Sequence, residues 1–144
     1  MRTLLIALGA AVLDQLVKWI VQTHMELGQT IPLIKSVFHL TYILNLGAAF
    51  GLLPHKDWFF LAIVVVLYAA FFIMRKKIPE KPAYFSLAIA MLLGGALGNA
   101  IDRVRIGEVI DFFDFRIWPI FNVADIFICL GVGLIAFYFW RHSS

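Results

Sequence analysis

The sequence predicts an all-α membrane protein with four transmembrane helices and a small extracytoplasmic β-sheet element. Of its 144 residues, 62% are hydrophobic and only 15% are charged, whereas soluble domains carry roughly 25% charged residues. Four stretches are also long and apolar enough for a bilayer-crossing helix, which needs about 20 residues. We therefore expect residues 1–144 to form a single integral membrane domain.

The predicted spans are residues 4–21, 58–74, 82–101 and 120–140. An alternative for the first is a cleaved secretory signal, since a basic residue precedes an apolar stretch of signal-peptide length. However, Asp14 and Lys18 interrupt this stretch and no clear small-residue cleavage site precedes them. We therefore predict a retained helix.

Lysine and arginine residues predict the orientation. The short connection 75–81 is rich in both, and with four spans it lies on the same side as Arg2 and Arg141. Because such residues concentrate in cytoplasmic loops, both termini are predicted to be cytoplasmic. On the opposite side, residues 36–44 alternate and are rich in β-formers, which predicts a short sheet at the membrane surface.

Composition argues against several kinds of site. The single cysteine, Cys129, excludes an internal disulfide, and without a nearby base it is expected to be a small packed side chain rather than a nucleophile. His24, His39 and His55 lack the spacing of metal ligands, so no metal and no cofactor is expected. The net charge of +3 suits basic cytoplasmic loops better than a nucleic-acid-binding face.

Ionisable residues at membrane depth are costly and therefore point to function. Asp14 and Lys18 are four residues apart with the acid first, so we expect a pair that neutralises itself inside the bundle. Asp125 has no cation nearby in sequence and lies about 24 Å from Arg141 along a helix. In a hydrocarbon core about 30 Å thick, that places Asp125 just below the outer surface.

Other polar residues arrive at the same depth. Asn99 and Arg103 share a helix face of the third span. Asn122 comes three residues before Asp125 in the fourth span, and Asp111 lies in the connection between these two spans. Two neighbouring carboxylates tend to hold one proton between them, and such a pair can activate water and protonate a leaving amine. The alternatives are a loop acid at Asp111 and a helix N-terminal acid at Asp125; spacing alone leaves them open.

Five short segments, taken together and in order, are specific where each alone is weak. They are Asp14–Lys18 (DQLVK), Asn45–Gly51 (NLGAAFG), Gly94–Arg103 (GGALGNAIDR), Val109–Phe112 (VIDF) and Phe121–Asp125 (FNVAD). In this order, on four predicted spans, they resemble the lipoprotein signal peptidases (signal peptidase II) along nearly the whole chain.

The resemblance implies that Asp111 and Asp125 are the catalytic pair, whereas Asp114 lies outside the motif. Other residues of the segments are expected to bind substrate or support the site: Asp14, Lys18, Asn45, Gly47, Asn99, Arg103, Asn122 and Ala124. Four small residues of the second segment either let the substrate approach closely or turn the chain: Gly47, Ala48, Ala49 and Gly51. Only thirteen residues separate Asp111 from Asp125, fewer than we expect in many members, so the covering of the site is expected to differ.

The implied function is that of an intramembrane aspartic endopeptidase, with the whole chain as one peptidase domain. It would remove the signal peptide from bacterial prolipoproteins, cleaving before the diacylglyceryl-modified cysteine. The expected location is the bacterial cytoplasmic (inner) membrane, with the active site near the outer face. Expected partners are the lipid-modified prolipoprotein, membrane lipid and globomycin-type inhibitors; we expect a monomer that uses no cofactor and binds no nucleic acid.

Two other classes of protein also place acids in a membrane. A small transporter or proton channel would carry charges through the full depth and often shows repeated halves, and the sequence shows neither. A non-catalytic chaperone or assembly factor would keep its function after loss of both Asp111 and Asp125.

Overall fold

Four helices and one three-stranded sheet make up the computed structural model, which describes residues 1–48, 52–79 and 82–143. The helices are α1 (Arg2–His24), α2 (Asp57–Met74), α3 (Ala83–Ile106) and α4 (Val123–His142), and the strands are β1 (Thr30–Ile34), β2 (Phe38–Asn45) and β3 (Val109–Asp114). In this described part of the chain, all four helices are long and apolar enough to cross a membrane. The predicted fold class is therefore confirmed.

Most helix ends lie within three residues of the prediction, and two of the differences have a clear physical cause. The third helix continues past residue 101 to Ile106, because the charged residues of its last turns find partners inside the protein; it ends at Gly107, whose φ of 74° favours glycine. The fourth helix begins at Val123 rather than at residue 120. There the side chain of Asn122 accepts a hydrogen bond from the backbone N–H of Asp125, and the Asp125 side chain accepts one from the N–H of Asn122, which stabilises the helix start.

Small residues bring the helices close together. Gly94 of α3 packs against the backbone of Ala7 in α1, and Gly131 of α4 packs against Ala88 of α3. Helices in a membrane associate through close backbone packing of this kind. Lipid is as apolar as the side chains, so there is no hydrophobic driving force for helix association. The third helix thus forms the centre of the bundle, with α1, α2 and α4 around it.

The sheet is antiparallel with strand order β1-β2-β3. The second strand contains most of the predicted segment 36–44, so that prediction is confirmed, whereas β3 was not predicted. Tyr42, Ile110 and Phe112 of the sheet pack against Val21 and Met25 at the end of α1. This apolar contact seats the sheet on the end of the bundle and places β3, which carries Asp111, next to the start of α4.

Gly131→Ala is expected to destabilise the bundle by about 1–3 kcal/mol through overpacking. A Cβ atom at Gly131 would lie 2.7 Å from the carbonyl oxygen of Ala88 and 2.8 Å from the backbone nitrogen of Leu92, so α3 and α4 would have to separate. The midpoint of thermal unfolding in detergent measures the effect. Gly133→Ala is the matched control, because a Cβ there meets nothing within 4 Å; equal midpoints for both variants would contradict this packing.

Candidate active site

Lys18 lies at the centre of a buried polar cluster and is itself inaccessible to solvent. Its Nζ atom is 2.8 Å from Oδ2 of Asp14 and 2.7 Å from Oδ2 of Asp102, and it donates a hydrogen bond of 3.0 Å to Oδ1 of Asn99. An ammonium group has three N–H donors, and here each has an acceptor. The predicted Asp14–Lys18 pair is present, but it is joined by Asp102, which sequence reasoning did not place in the site.

The carboxylates of Asp14 and Asp102 also accept hydrogen bonds from the backbone of α4 and β3. Oδ1 of Asp14 accepts a hydrogen bond of 2.8 Å from the backbone N–H of Ala124, in the first turn of α4. Oδ2 of Asp102 accepts one of 3.1 Å from the N–H of Ile110 in β3, and its Oδ1 accepts one of 2.8 Å from Gln15. The cluster therefore fixes the start of α4 and the position of β3 relative to α1 and α3.

Asn99 connects the Lys18 cluster to Asp125 through hydrogen bonds. Its Oδ1 atom accepts hydrogen bonds from Lys18 and, at 3.0 Å, from Nδ2 of Asn122. Because donors occupy the amide oxygen, the amide nitrogen must face the other way. There Nδ2 of Asn99 donates a 2.8 Å hydrogen bond to Oδ1 of Asp125. By fixing the orientation of the Asn99 amide, Lys18 therefore acts indirectly on Asp125.

Asn122 joins the two aspartates that the sequence singled out. Its side-chain Nδ2 donates a 2.7 Å hydrogen bond to Oδ1 of Asp111, and its backbone N–H donates one of 3.1 Å to Oδ2 of Asp125. The other oxygen of Asp111 accepts a 3.0 Å hydrogen bond from Nδ2 of Asn45. A strand and a helix start thus bring Asp111 and Asp125 to the same asparagine.

Burial and, second to it, the nearby charge of Asp125 raise the pKa of Asp111 to about 7, although hydrogen bonds from Asn45 and Asn122 and the charge of Lys18 act to lower it. A carboxyl group with such a pKa holds a proton for much of the time at neutral pH. It can therefore donate a hydrogen bond or a proton where an ordinary aspartate only accepts.

Asp114 lies on the same strand but belongs to a different environment. Residues 111 and 114 are an odd number apart, so their side chains point to opposite faces of β3. Burial acts to raise the pKa of Asp114, but hydrogen bonds from Thr41 and Arg116 and the charge of Arg116 outweigh it and hold the pKa below its usual value. Asp114 is thus a paired, ionised residue of the sheet and lies apart from the Asn122 network.

A cavity of about 670 Å³ opens beside the two aspartates. Its polar side is formed by Asn45, Asn99, Arg103, Asp111 and Asp125. Its remaining walls are mostly apolar side chains of α2, α3 and α4, among them Ile63, Leu67, Ile126 and Leu130. An apolar cavity with a few convergent polar groups is the usual form of a binding site.

Cys129 corrects one expectation. It was expected to be a small packed side chain, but it is exposed and borders the cavity. The reason is that α2 packs mainly on α3 and leaves this side of α4 uncovered.

In the described ranges of the chain, no group of three or more His, Cys, Asp or Glu side chains is placed to hold a metal ion.

Arg103 and Gly47 form the upper edge of the cavity. Arg103 donates a 3.2 Å hydrogen bond to the carbonyl oxygen of Gly47, lies 4.2 Å above the ring of Phe60 and approaches Asp57 to 3.7 Å. It therefore braces α3 against α2 and the segment after β2. A Cβ at Gly47 would collide with the carbonyl of Leu52, which supports the turn-forming interpretation; residues 49–51 of the same motif lie outside the described residues.

Sequence reasoning missed Asp102 and Gln15. Both lie inside the segments that carry the family resemblance, and Asp102 is three residues after Asn99, on the same helix face. An additional acid on the polar face of a transmembrane helix was the available signal. Ala124 was also expected in the site; it is fully buried, and its backbone N–H donates a hydrogen bond to the Asp14 carboxylate.

These features define a multi-pass membrane protein with a buried two-carboxylate centre, which is the arrangement of an aspartic hydrolase. The family profile described as "Signal peptidase (SPase) II" matches residues 6–141. The lipoprotein signal peptidase of Halothermothrix orenii is 44% identical over 140 residues, which cover 97% of this chain and 96% of that protein. The chain therefore belongs to the signal peptidase II family of aspartic peptidases.

Other similar proteins agree with this membership. The lipoprotein signal peptidase of Brevibacillus brevis is 48% identical over 133 residues, covering 91% of this chain and 89% of that protein. Two solved structures, both described as bacterial membrane enzymes, are 36% identical to this chain. They superpose with TM-scores of 0.87 and 0.85 and cover 99% and 98% of this chain and 90% and 94% of their own chains.

Lys18→Met is expected to destabilise the protein by about 3–5 kcal/mol, because it leaves two buried carboxylates without their cation. Methionine has a similar length, so loss of packing is small. Denaturant or thermal unfolding in detergent measures the change. Lys35→Met, which alters an exposed residue between β1 and β2, is the control; equal stability of the two variants would show that the Lys18 cluster does not hold the fold.

Proposed function

We propose that this protein is the endopeptidase that removes the signal peptide from bacterial prolipoproteins, with Asp111 and Asp125 as its catalytic pair. The observation that carries the proposal is the pairing of both carboxylates on Asn122 at the polar side of a largely apolar cavity. The relatives described above are named as lipoprotein signal peptidases. The bond cut is the peptide bond before the diacylglyceryl-modified cysteine.

The chemistry needs one carboxylate and one carboxylic acid. The ionised member takes a proton from a water molecule, whose oxygen attacks the scissile carbonyl carbon, while the protonated member donates its proton to the carbonyl oxygen. Collapse of the tetrahedral intermediate breaks the C–N bond; the leaving nitrogen takes a proton from the pair, and a hydroxyl of the intermediate returns one to the pair as the carboxylic acid product forms. The raised pKa of Asp111 supports a shared proton near neutral pH, but the pair titrates as a unit, so neither role is assigned to one residue.

Neighbouring polar groups keep the pair in place. The side-chain amides of Asn99 and Asn122 each donate to one carboxylate, and Lys18 holds Asn99 in the orientation that this requires. We assign Asp14, Lys18 and Ala124 to support of the site. Such fixed dipoles lower the barrier because they need not reorganise during the reaction.

The substrate would lie along the apolar cavity. Its walls of α2 and α4 side chains match the acyl chains of the diacylglyceryl group and the apolar part of a signal peptide. Asn45, Arg103 and the backbone at Gly47 stand at the polar edge of this cavity, where they would bind the peptide backbone around the scissile bond. Globomycin-type inhibitors would compete for the same space.

We further propose the bacterial cytoplasmic (inner) membrane as the location, with both termini cytoplasmic and the active site near the outer face. The basic residues 75–77 and Arg141 lie at one end of the bundle, while the sheet and Asp111 lie at the other. Positive residues mark the cytoplasmic side, so the aspartates belong to the outer half. The chain would act as a monomer and as one peptidase domain, since the cavity and the pair lie within a single chain.

Asp111→Asn and Asp125→Asn are each expected to lower the cleavage rate by at least about 10³-fold, because each removes a group that transfers protons. Cleavage of a lipid-modified prolipoprotein, followed by the change in its mobility on a gel, measures this, and the unfolding midpoint reports whether each variant folds. Asp114→Asn is the control on the opposite face of β3 and should keep its activity. Near-normal cleavage by either of the first two variants would refute the catalytic pair, and loss in Asp114→Asn would refute the choice of acid.

The alkaline limb of the pH profile of kcat/KM should lie near the pKa of Asp111, about 7, because the pair loses its proton above it. The hydrogen bond from Asn45 lowers this pKa, so Asn45→Ala should raise it and move the limb to higher pH. Thr41→Val is the matched control on β2, since Thr41 bonds Asp114 instead. A limb that stays in place or moves to lower pH in Asn45→Ala would contradict the role of Asp111.

A further inference from the structure

A second cavity, of about 380 Å³, lies at the end of the bundle opposite the aspartates. We call it the inner groove. Its walls come from the end of α2, from α3 and from α4, and they are apolar apart from the head group of Lys77 and the hydroxyl of Tyr138. The lining includes Phe71, Met74, Ile78, Phe85, Leu93 and Phe139.

The inner groove runs in line with the candidate active-site cavity. Leu67 of α2 and Leu92 of α3 border both cavities, so the two stand end to end between α2 and α4. An elongated apolar ligand is therefore the kind of molecule that fits. Two are available in a membrane, namely the signal helix of the substrate and the acyl chain of a lipid.

The charged residues at the mouth of the groove distinguish between a signal helix and a lipid as its ligand. Lys77 lines the mouth, Arg75 and Lys76 precede it and are exposed, and on the other side α4 ends in Arg141 and His142. The ring of His142 stacks on Tyr138 at 4.4 Å. In the described segments 70–79 and 137–143 no residue is acidic.

A signal peptide carries positive charge at its N-terminal end, which this mouth would repel. A lipid phosphate is negative, and a lysine or arginine near the membrane surface attracts it. The positive charge at the mouth of the groove thus favours a lipid with an anionic head group.

We propose that the inner groove is a binding site for an anionic glycerophospholipid. One acyl chain lies between α2 and α4 against Phe71, Leu93 and Phe139, and the phosphate contacts Lys77. Arg75 and Lys76 add positive charge at the surface. The site is separate from the aspartate pair and does not depend on the peptidase assignment.

The test is retention of lipid by the purified full-length protein. The protein is exposed in detergent to equal amounts of phosphatidylglycerol and phosphatidylcholine, and bound lipid is counted by native mass spectrometry. The wild type should retain one phosphatidylglycerol in preference to phosphatidylcholine. Lys77→Glu should lower that retention by at least about fivefold, while Lys35→Glu, at the other end of the molecule, should not.

A second pair of variants tests the acyl-chain site. Ala70 lines the groove whereas its neighbour Ala69 does not, and both are exposed. Ala70→Trp should therefore abolish retention and Ala69→Trp should leave it unchanged. Because both replace an exposed alanine of α2 by the same residue, a general effect of tryptophan on the helix would appear in both.

Three results would overturn the proposal. One is equal retention of the two lipids by the wild type, and another is unchanged phosphatidylglycerol retention in both Lys77→Glu and Ala70→Trp. The third is a raised KM for the prolipoprotein in Ala70→Trp with normal lipid retention, which would show that the groove holds the signal helix instead. If Ala70→Trp does not fold, the exposed Lys77→Glu variant still decides.

Discussion

The ammonium group of Lys18, buried between Asp14, Asp102 and Asn99, is the interaction on which the rest of the structure depends. A charge inside a membrane protein is tolerated only when its partners are close and its donors are all satisfied. That requirement sets the spacing of α1 and α3 and fixes which way the Asn99 amide points. Through Ala124 and Ile110, the same cluster places the helix that carries Asp125 and the strand that carries Asp111.

The two aspartates are thus held by different kinds of structure. Asp111 is on a strand that packs over the end of α1, and Asp125 is in the first turn of α4, where it also stabilises the helix start. Among the residues that the structure describes, Asn122 is the one that hydrogen-bonds to both aspartate side chains, so their separation follows from the position of a single helix cap. This explains how a chain of only 144 residues can hold a precise pair beside a cavity of about 670 Å³.

Much of this was accessible from sequence because the membrane limits the choices. Hydropathy predicted the four helices, and the spacing of Asp14 and Lys18 predicted their pairing. Local pattern could not show that Asp102 completes the Lys18 cluster, that β3 pairs with β2 or that Cys129 is exposed, since each depends on contacts between segments distant in sequence. Nor could spacing choose Asp111 over Asp114. The family resemblance made that choice, and the alternation of β3 gives it a physical reason.

The claim that Asp111 and Asp125 share a proton is tested most directly by infrared spectroscopy of the purified protein as a function of pH. A carboxylic acid C=O band is expected that disappears as pH rises through about 7, is lost in Asp111→Asn and remains in Asp114→Asn. A spectrum without a carboxylic acid that titrates in this range, or a band that persists in Asp111→Asn, would contradict it.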